Sequence, residues 1–308
     1  MGRRNKKGRS ITGIIIIDKP TGRSSNHVLQ QVKRLFGAKK AGHTGSLDPL
    51  ATGVLPICLG EATKLSSYLL DADKRYHVTC QLGIITDSGD SDGNVVETMA
   101  VPSFTEQMML NVIEQFKGEQ QQVPPMYSAL KHKGLPLYKF ARQGIEIERK
   151  SRYINIYAIA LISYTQTSFT LDVCCSKGTY IRTLVEDISH ALNTGGHVTV
   201  LRRVGAAGYD ISGAISLSSL TSLAEKSMTA LDDILLPSEN ALPSWPSVLV
   251  DEQQVMALRQ GQTVQVSDTF ESAKIRLFDQ QKIFLGLGEM SENGTVSPKR
   301  VFVVDEAS

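Results

Sequence analysis

The stretch AGHTGSLDPLATGVLP, residues 41–56, places a single carboxylate, Asp48, in a loop of small and backbone-bending residues. Its glycines permit backbone angles that other residues avoid, and Pro49 fixes the chain directly after the acid. The apolar run at 54–59 then predicts a buried strand. Asp48 is therefore predicted to lie on a rigid loop of the kind that carries active-site residues. For an arbitrary Asp-Pro pair, an Asx-turn that only caps its own backbone is the commoner explanation.

The size of the chain indicates a globular protein with one large and one small domain. Its 308 residues exceed one ordinary domain, and 41% of them are hydrophobic, which is enough for a proper core. The longest aliphatic run before a charge, residues 14–17, is far too short for a membrane span or a signal sequence. We therefore expect a cytoplasmic protein with no membrane partner.

The cysteines give no sign of a metal site. The chain has four, none of them in a CxxC pair, and the adjacent Cys174 and Cys175 would point to opposite faces of a strand. Reduced, buried thiols fit better than zinc ligands or disulfides. No GxGxxG follows a predicted strand, and neither GxxxxGK[ST] nor HExxH occurs. The sequence therefore predicts no metal and no cofactor.

The charge is unevenly distributed, although the net charge is only +2. Residues 1–44 carry eleven lysines and arginines against one acid, Asp18, and residues 117–152 carry eight bases against three acids. Clustered bases on a nearly neutral chain favour a polyanion partner, and nucleic acid is the leading candidate. For the first five bases the alternative is a disordered, solubilising tail: Arg3, Arg4, Lys6, Lys7 and Arg9.

Hydrophobic periodicity predicts a mixture of strands and helices along the chain. Strands are expected at 12–18, 54–59 and 75–82 and within 145–173, and helices at 25–36, 104–116 and 180–192. This order argues for an α+β fold with a central mixed, mainly antiparallel sheet flanked by helices and loops, and against regular βαβ winding.

Two breaks in composition suggest the domain organisation. The proline-rich segment at 236–248 is typical of a linker, and short strand-like runs after it suggest a small all-β module. We therefore place a large domain at 1–240 and a small β-rich domain at 246–308. Within the first, residues 120–150 combine prolines, tyrosines and bases without a long periodic segment. They suit a mobile insertion that grips RNA, and a packed structural flap is the alternative.

A second glycine loop, SKGTYIR at 176–182, ends a predicted strand and opens a predicted helix. Thr179 is placed to cap that helix, and Arg182 to pair with Asp48, which would hold the acid ionised and oriented. A structural ion pair is the alternative. Tyr76 and Tyr180 lie close to lysine and arginine residues in the sequence, and their rings could stack on an unpaired nucleobase. A tyrosine packed in the core is the more usual explanation.

Five blocks carry a resemblance to a known family: IDKPTGRSSN (17–26), AGHTGSLDPLATGVLPICLGEATK (41–64), DKRYHVTCQLG (73–83), MYSALK (126–131) and CSKGTYIRTL (175–184). They resemble the B-type pseudouridine synthases, which include the bacterial tRNA pseudouridine-55 synthase. The resemblance implies isomerisation of uridine to pseudouridine at position 55 in the T-loop of tRNA, without a cofactor. It also implies a PUA-like, RNA-binding C-terminal domain.

The same resemblance implies a role for each candidate residue. Asp48 would be the catalytic aspartate, Tyr76 the ring stacked on the target uracil, and Arg182 the ion-pair partner of Asp48. The implied substrate contacts are His43, which would fill the space of flipped bases, together with Tyr180, Leu201 and Lys64. From the residues alone, an imidazole at this position could also act as an acid or base. A turn histidine bonded to a carbonyl is the alternative for His43. Lys19 and Pro20 match a structural element that supports the catalytic loop.

Two other functions stay open at this point. One is a non-catalytic RNA-binding or tRNA-folding protein on the same scaffold, and the other is a relative guided by a separate RNA. The insertion at 120–150 speaks against the guided relative, because by resemblance it belongs to stand-alone tRNA enzymes. We expect a monomer that binds the T-arm of tRNA and needs no protein partner. Whether Asp48 bonds to C1′ or removes the 2′ proton to give a glycal is left undecided.

Overall fold

The computed structural model describes residues 8–268, 270 and 273–303. Four of the bases predicted to form a tail or binding arm, Arg3, Arg4, Lys6 and Lys7, lie outside these residues. The fifth, Arg9, is not part of a free tail, because its guanidinium forms an ion pair with Asp232.

Nineteen strands occur in the described residues: β1 Gly13–Lys19, β2 Ala41–His43, β3 Thr52–Leu59, β4 Lys74–Leu82, β5 Ile84–Thr86, β6 Val95–Thr98, β7 Gly118–Gln122, β8 Lys131–His132, β9 Leu135–Pro136, β10 Arg152–Tyr164, β11 Ser168–Cys175, β12 Gly196–Ala206, β13 Tyr209–Asp210, β14 Ile215–Ser216, β15 Ser247–Leu249, β16 Val264–Gln265, β17 Lys274–Phe278, β18 Phe284–Met290 and β19 Thr295–Val301. The same residues form eight α-helices: α1 Ser25–Leu35, α2 Ser66–Leu70, α3 Glu106–Glu114, α4 Leu137–Ala141, α5 Ile181–Ala191, α6 Leu217–Lys226, α7 Met228–Asp233 and α8 Glu252–Arg259.

The larger sheet confirms the predicted fold class. Its strand order is β14-β1-β3-β12-β4-β11-β10-β7, with β2 paired to β3 and β13 to β12. Only the pairs β1–β14 and β3–β12 are parallel, so the sheet is mixed and mainly antiparallel. The strands predicted at 12–18, 54–59 and 75–82 are β1, β3 and β4, and the three predicted helices are α1, α3 and α5.

Strand β4 shows why this sheet positions a site. Its residues alternate between buried and more exposed, so Tyr76, Val78 and Cys80 point to one face. That face packs against α5, whose Leu184 and Ile188 belong to the same core cluster. The loop that precedes α5 is thereby held against the face of β4 that carries Tyr76.

The C-terminal part of the chain forms a second sheet of five strands, β15-β17-β18-β19-β16. The prediction of an all-β module was wrong in one respect, because α8 lies between β15 and β16. Asp251 caps this helix through a capping box with Gln254, a local signal that the sequence analysis overlooked.

The segment at 236–248 is packed, unlike the linker that its prolines suggested. Leu236 exchanges two backbone hydrogen bonds with Ile14 of β1, and the Trp245 ring lies edge-on to Tyr68 with 5.2 Å between the ring centroids. Phe284 and Phe302 of the C-terminal part share one hydrophobic cluster with β1 and β3. The apolar residues between the prolines therefore bury themselves between the two sheets.

Glu61 joins the same two parts of the molecule. Its carboxylate accepts hydrogen bonds from Lys40 at 3.0 Å, from Lys64 at 2.5 Å and from the Val303 backbone at 3.0 Å. Although burial raises the pKa of Glu61, the hydrogen bonds from Lys64, Val303 and Lys40 outweigh burial and lower the pKa from 4.5 to about 2. The stabilisation from this carboxylate is therefore present above about pH 4.5 and is lost as the pH falls toward 2.

We expect Glu61→Gln to lower the free energy of unfolding at pH 7 by about 1 to 2 kcal/mol. The difference from wild type should shrink as the pH falls below about 4.5, where the unfolded carboxyl becomes protonated. Urea denaturation of both proteins across this pH range measures the effect. Glu114→Gln is the matched control, because Glu114 forms only an exposed ion pair with Lys117. An equal loss at every pH would contradict the role of the carboxylate charge.

No helix of residues 8–268, 270 and 273–303 is both long and apolar enough to cross a membrane.

Candidate active site

Hydrogen bonds from Lys19 hold the loop that carries Asp48. This fully buried lysine donates hydrogen bonds from Nζ to the carbonyl oxygens of Pro20 at 2.9 Å, Pro49 at 3.2 Å and Ala51 at 2.6 Å. Burial lowers the pKa of Lys19 to about 8. Lys19 therefore ties the loop directly after the acid to the Pro20 carbonyl at the end of β1.

A second set of contacts fixes the start of the loop. Ser25 at the beginning of α1 accepts a hydrogen bond from the Leu47 backbone N–H and donates to the Leu47 carbonyl. Gly53 is required where the loop enters β3, because its φ is 104° and a Cβ there would lie 2.1 Å from the Arg203 carbonyl oxygen. The loop is thus rigid, as its glycines and proline predicted.

Arg182 pairs with Asp48, as the sequence predicted. Its Nε lies 3.1 Å from Asp48 Oδ2, and its side chain is only 4% exposed. The other guanidinium nitrogens donate to the carbonyls of Ser88 at 2.6 Å and Tyr127 at 2.7 Å, and Nη1 lies 3.6 Å from Asp90. With all three nitrogens engaged, the guanidinium holds one orientation toward the acid.

Two opposing effects act on the Asp48 carboxyl. Removal from water in the cleft raises the pKa of Asp48 above 3.8, and the positive charge of Arg182 acts against that rise. Asp90 adds a negative charge nearby, which raises the pKa of Asp48 further. The arginine therefore favours the ionised form that a nucleophile or base needs.

Thr179 does not cap α5, contrary to the prediction. The helix begins after Tyr180, which makes no side-chain cap, and Thr179 Oγ1 instead donates to the Ser176 carbonyl at 3.0 Å. The amide of Gln122 at the end of β7 binds both backbone groups of Tyr180, at 2.8 Å and 3.1 Å. A neighbouring strand thus holds this loop, and no local pattern in the sequence announced that contact.

A cleft of about 610 Å³ opens above Asp48. It brings together five of the predicted site residues: Asp48, Tyr76, Tyr180, Arg182 and Leu201. Tyr76 and Leu201 are buried. The Arg152 guanidinium lies over the ring of Tyr180, with 5.6 Å between its central carbon and the ring centroid. A carboxylate beside flat and apolar side chains suits a ring-shaped ligand.

Two predicted substrate contacts, His43 and Lys64, are not among the residues that line this cleft. His43 lies on β2 opposite Ile57, and burial and Arg203 lower the pKa of its ring, which favours the neutral imidazole. Its insertion between flipped bases stays a prediction. Lys64 donates to Glu61 and to the Val301 carbonyl at 2.6 Å, beside the C-terminal sheet. Lys64 therefore joins the two sheets, and its contact with substrate stays a prediction.

Two buried cations of the cleft were missed by the sequence analysis. Arg203 is 1% exposed and donates to the carbonyls of Val54 and Gly45, so it ties β12 to the Asp48 loop. Lys74 donates to the Leu70 carbonyl at 2.5 Å, and burial lowers its pKa to about 8. The sequence did contain a signal for them in the adjacent pairs Arg202-Arg203 and Lys74-Arg75. Neighbouring residues of a strand point to opposite faces, so one basic residue of each pair is expected to be buried.

No group of three or more His, Cys, Asp or Glu within the described ranges is arranged to hold a metal ion.

Comparison with known proteins agrees with this geometry. Residues 33–181 match the family described as TruB family pseudouridylate synthase (N terminal domain). A tRNA pseudouridine synthase B from Vibrio cholerae is 50% identical over 311 residues, which cover 98% of this chain and 99% of the relative. The chain belongs to the TruB family of pseudouridylate synthases. The resemblance seen in the five sequence blocks is thereby confirmed.

Further matches extend the TruB assignment along the chain. Residues 182–243 match the tRNA pseudouridylate synthase B C-terminal domain, and residues 246–302 match the family described as pseudouridine synthase II TruB, C-terminal. A tRNA pseudouridine synthase B from Nitrosococcus oceani is also 50% identical, over 97% of both chains. Among solved structures, "Crystal Structure of a Cbf5-Nop10-Gar1 Complex" superposes with a TM-score of 0.72 over 94% of this chain and 85% of the other, at 24% identity, which shows a shared fold.

Proposed function

We propose that this TruB family member converts the uridine at position 55, in the T-loop of tRNA, to pseudouridine, with Asp48 as the reacting carboxylate. The observation that carries the proposal is the 3.1 Å ion pair between Asp48 and the buried Arg182 at the base of the cleft. The relatives from Vibrio cholerae and Nitrosococcus oceani, both named tRNA pseudouridine synthase B, support tRNA as the substrate.

The target base must first leave its stack, because its glycosidic bond is out of reach inside a folded RNA loop. Flipping costs a few kcal/mol, and stacking of the uracil on Tyr76 offsets part of that cost. Tyr180 and Leu201 form the remaining walls around the ring. The volume of about 610 Å³ falls within the usual range for a pocket that holds one small ligand.

Asp48 then acts on the sugar. It either attacks C1′, displacing the ring, or removes the 2′ proton, so that the ring leaves and a glycal forms. In both routes the N1–C1′ bond breaks and the ring turns. C5 then bonds to C1′, which displaces the Asp48 carboxylate in the first route and is accompanied by return of the proton from Asp48 to C2′ in the second. C5 finally loses its proton and N1 gains one. The reaction is an isomerisation, and both routes need Asp48 ionised, the form that Arg182 favours.

The presence of two separate sheets supports two domains with different roles. We place the catalytic domain at 1–240 and a PUA-like RNA-binding domain at 246–308. The insertion at 120–150 would grip the T-arm, with Tyr138 and Arg142 offering stacking surface and charge 5.5 Å apart. The insertion also contacts the rest of the catalytic domain, since Leu137 is buried and Arg182 donates a hydrogen bond to the Tyr127 carbonyl. We expect a cytoplasmic monomer that needs no protein partner.

The test is release of tritium from uridine C5 in an unmodified tRNA transcript, with no guide RNA and no other protein added. We expect one tritium released per tRNA, and none from a transcript in which the uridine at position 55 is replaced by cytidine. Release only after a guide RNA is added would favour a guided enzyme. Binding without any release would favour the non-catalytic, tRNA-folding alternative.

We expect tRNA binding to weaken steeply with salt, because the bases would displace counterions from the phosphates. Binding by the Asp48→Asn protein, which avoids turnover, should fall by at least about tenfold between about 50 and about 200 mM monovalent salt. Filter binding or fluorescence titration measures this dependence. An affinity that does not change over that range would rule out the electrostatic contribution.

A further inference from the structure

One residue that lines the cleft carries a buried hydroxyl with no hydrogen-bond partner among residues 8–268, 270 and 273–303. Ser128 is 5% exposed and lines the cleft together with Asp48 and Arg182, yet its Oγ bonds to no protein group. An unsatisfied buried hydroxyl is costly, and in native proteins it calls for an explanation. A ligand in the cleft provides one.

The backbone on either side of this hydroxyl is fixed. Ser128 donates its backbone N–H to the Met126 carbonyl at 2.9 Å and accepts a hydrogen bond from the Tyr138 N–H at 3.1 Å. The preceding carbonyl, that of Tyr127, accepts the 2.7 Å hydrogen bond from Arg182. Ser128 is therefore held in place beside the arginine that orients Asp48, and its side chain alone is left without a partner.

We propose that Ser128 binds the flipped nucleobase: its side chain turns from the buried position into the cleft, and Oγ donates a hydrogen bond to a carbonyl oxygen of the uracil. The inference rests on the proposed function and names a contact for its substrate. A neutral hydroxyl fits the ring better than a phosphate, because the charged Arg152 and Lys177 of the same cleft are the natural phosphate partners. A hydroxyl can both donate and accept a hydrogen bond, so Ser128 can bind the uracil ring before and after the ring turns.

The same contact favours the chemical step. When the N1–C1′ bond breaks, the ring leaves with the bonding electrons, and negative charge spreads onto N1 and the neighbouring carbonyl oxygen. A donor already in position stabilises that charge without reorganisation. Ser128 therefore contributes both to binding the base and to stabilising it once it is detached.

The first test compares Ser128→Ala with wild type in single-turnover reactions on an unmodified tRNA transcript. We expect the rate constant to fall by about tenfold, the loss typical of one hydrogen bond. The melting temperature should stay unchanged or rise, because the variant removes an unsatisfied buried hydroxyl. Tyr209→Phe is the matched control, since Tyr209 carries another buried, unpartnered hydroxyl outside the cleft, and its rate should equal that of wild type.

The second test replaces one uracil carbonyl at a time, using transcripts with 2-thiouridine or 4-thiouridine at the target position. Sulfur is a weak acceptor, so one of the two should slow wild type but not slow Ser128→Ala any further. A full rate for Ser128→Ala, a fall in its melting temperature that accompanies the lost rate, or equal slowing by both thio-substitutions in both proteins would overturn the inference. An inactive wild type would instead refute the proposed function.

Discussion

Asp48→Asn is expected to abolish pseudouridine formation while leaving tRNA binding largely unchanged. Asparagine keeps the shape of the side chain but has neither the charge nor the basicity that both routes require, so the single-turnover rate should fall by about 10⁴-fold or more. Tritium release measures the rate, and filter binding measures the affinity. Binding is expected to persist because stacking and phosphate contacts do not involve the carboxylate.

The matched control for this variant is Asp172→Asn. Asp172 also pairs with an arginine, Arg75, but it lies on the opposite face of the same sheet from Tyr76. Its replacement should leave the rate unchanged. Measurable turnover by Asp48→Asn at a rate near that of wild type would show that another group does the chemistry.

The pH dependence of wild type follows from the same carboxylate. Because the pKa of Asp48 is raised above 3.8, the rate should fall on acidification at a higher pH than for an exposed aspartate. The ionised form is lost as the pH decreases through that raised value. A rate that stayed constant down to about pH 4 would contradict the raised pKa of Asp48.

Arg182→Gln is expected to be the second most damaging change. Removal of the guanidinium takes away the charge that opposes the rise in the pKa of Asp48, so the acid limb of the rate profile should move to higher pH. It also leaves the carbonyls of Ser88 and Tyr127 without their donors. We expect a loss of about 3 kcal/mol in the free energy of unfolding, as for other broken buried ion pairs.

Arg182→Lys separates charge from geometry. Lysine keeps the positive charge, but one nitrogen cannot reach Asp48 and the two carbonyls in the same fork-shaped arrangement. The acid limb should therefore move less than in Arg182→Gln, while the rate at neutral pH still falls. Arg75→Gln is the control for both variants, because Arg75 is 59% exposed in its ion pair and its loss should change neither rate nor stability. An acid limb that stays in place in Arg182→Gln would mean that this arginine does not tune the acid.

Much of the fold was predictable because strands and helices with one buried face carry apolar residues at regular intervals in the sequence. The alternation at 75–82 identified β4, and the helical spacing of apolar residues identified α5. The linker predicted from the prolines at 236–248 was wrong because those prolines carry no information on packing. Proline reports only on local backbone geometry, whereas the packing of that segment depends on the apolar residues between the prolines and on what they meet.

The site was predictable in part. Glycine, proline and hydrophobic periodicity act on neighbours in the chain, so the residues of the rigid loop around Asp48 and of the helix that carries Arg182 could be read directly from the amino-acid order. The distant groups that complete the site became known only from the folded chain. Arg203 reaches a carbonyl 158 residues away, Gln122 holds a loop 58 residues away, and Lys64 is drawn to the C-terminal strand 237 residues away. Such contacts form when strands far apart in sequence become neighbours in a sheet, and no local pattern records that proximity.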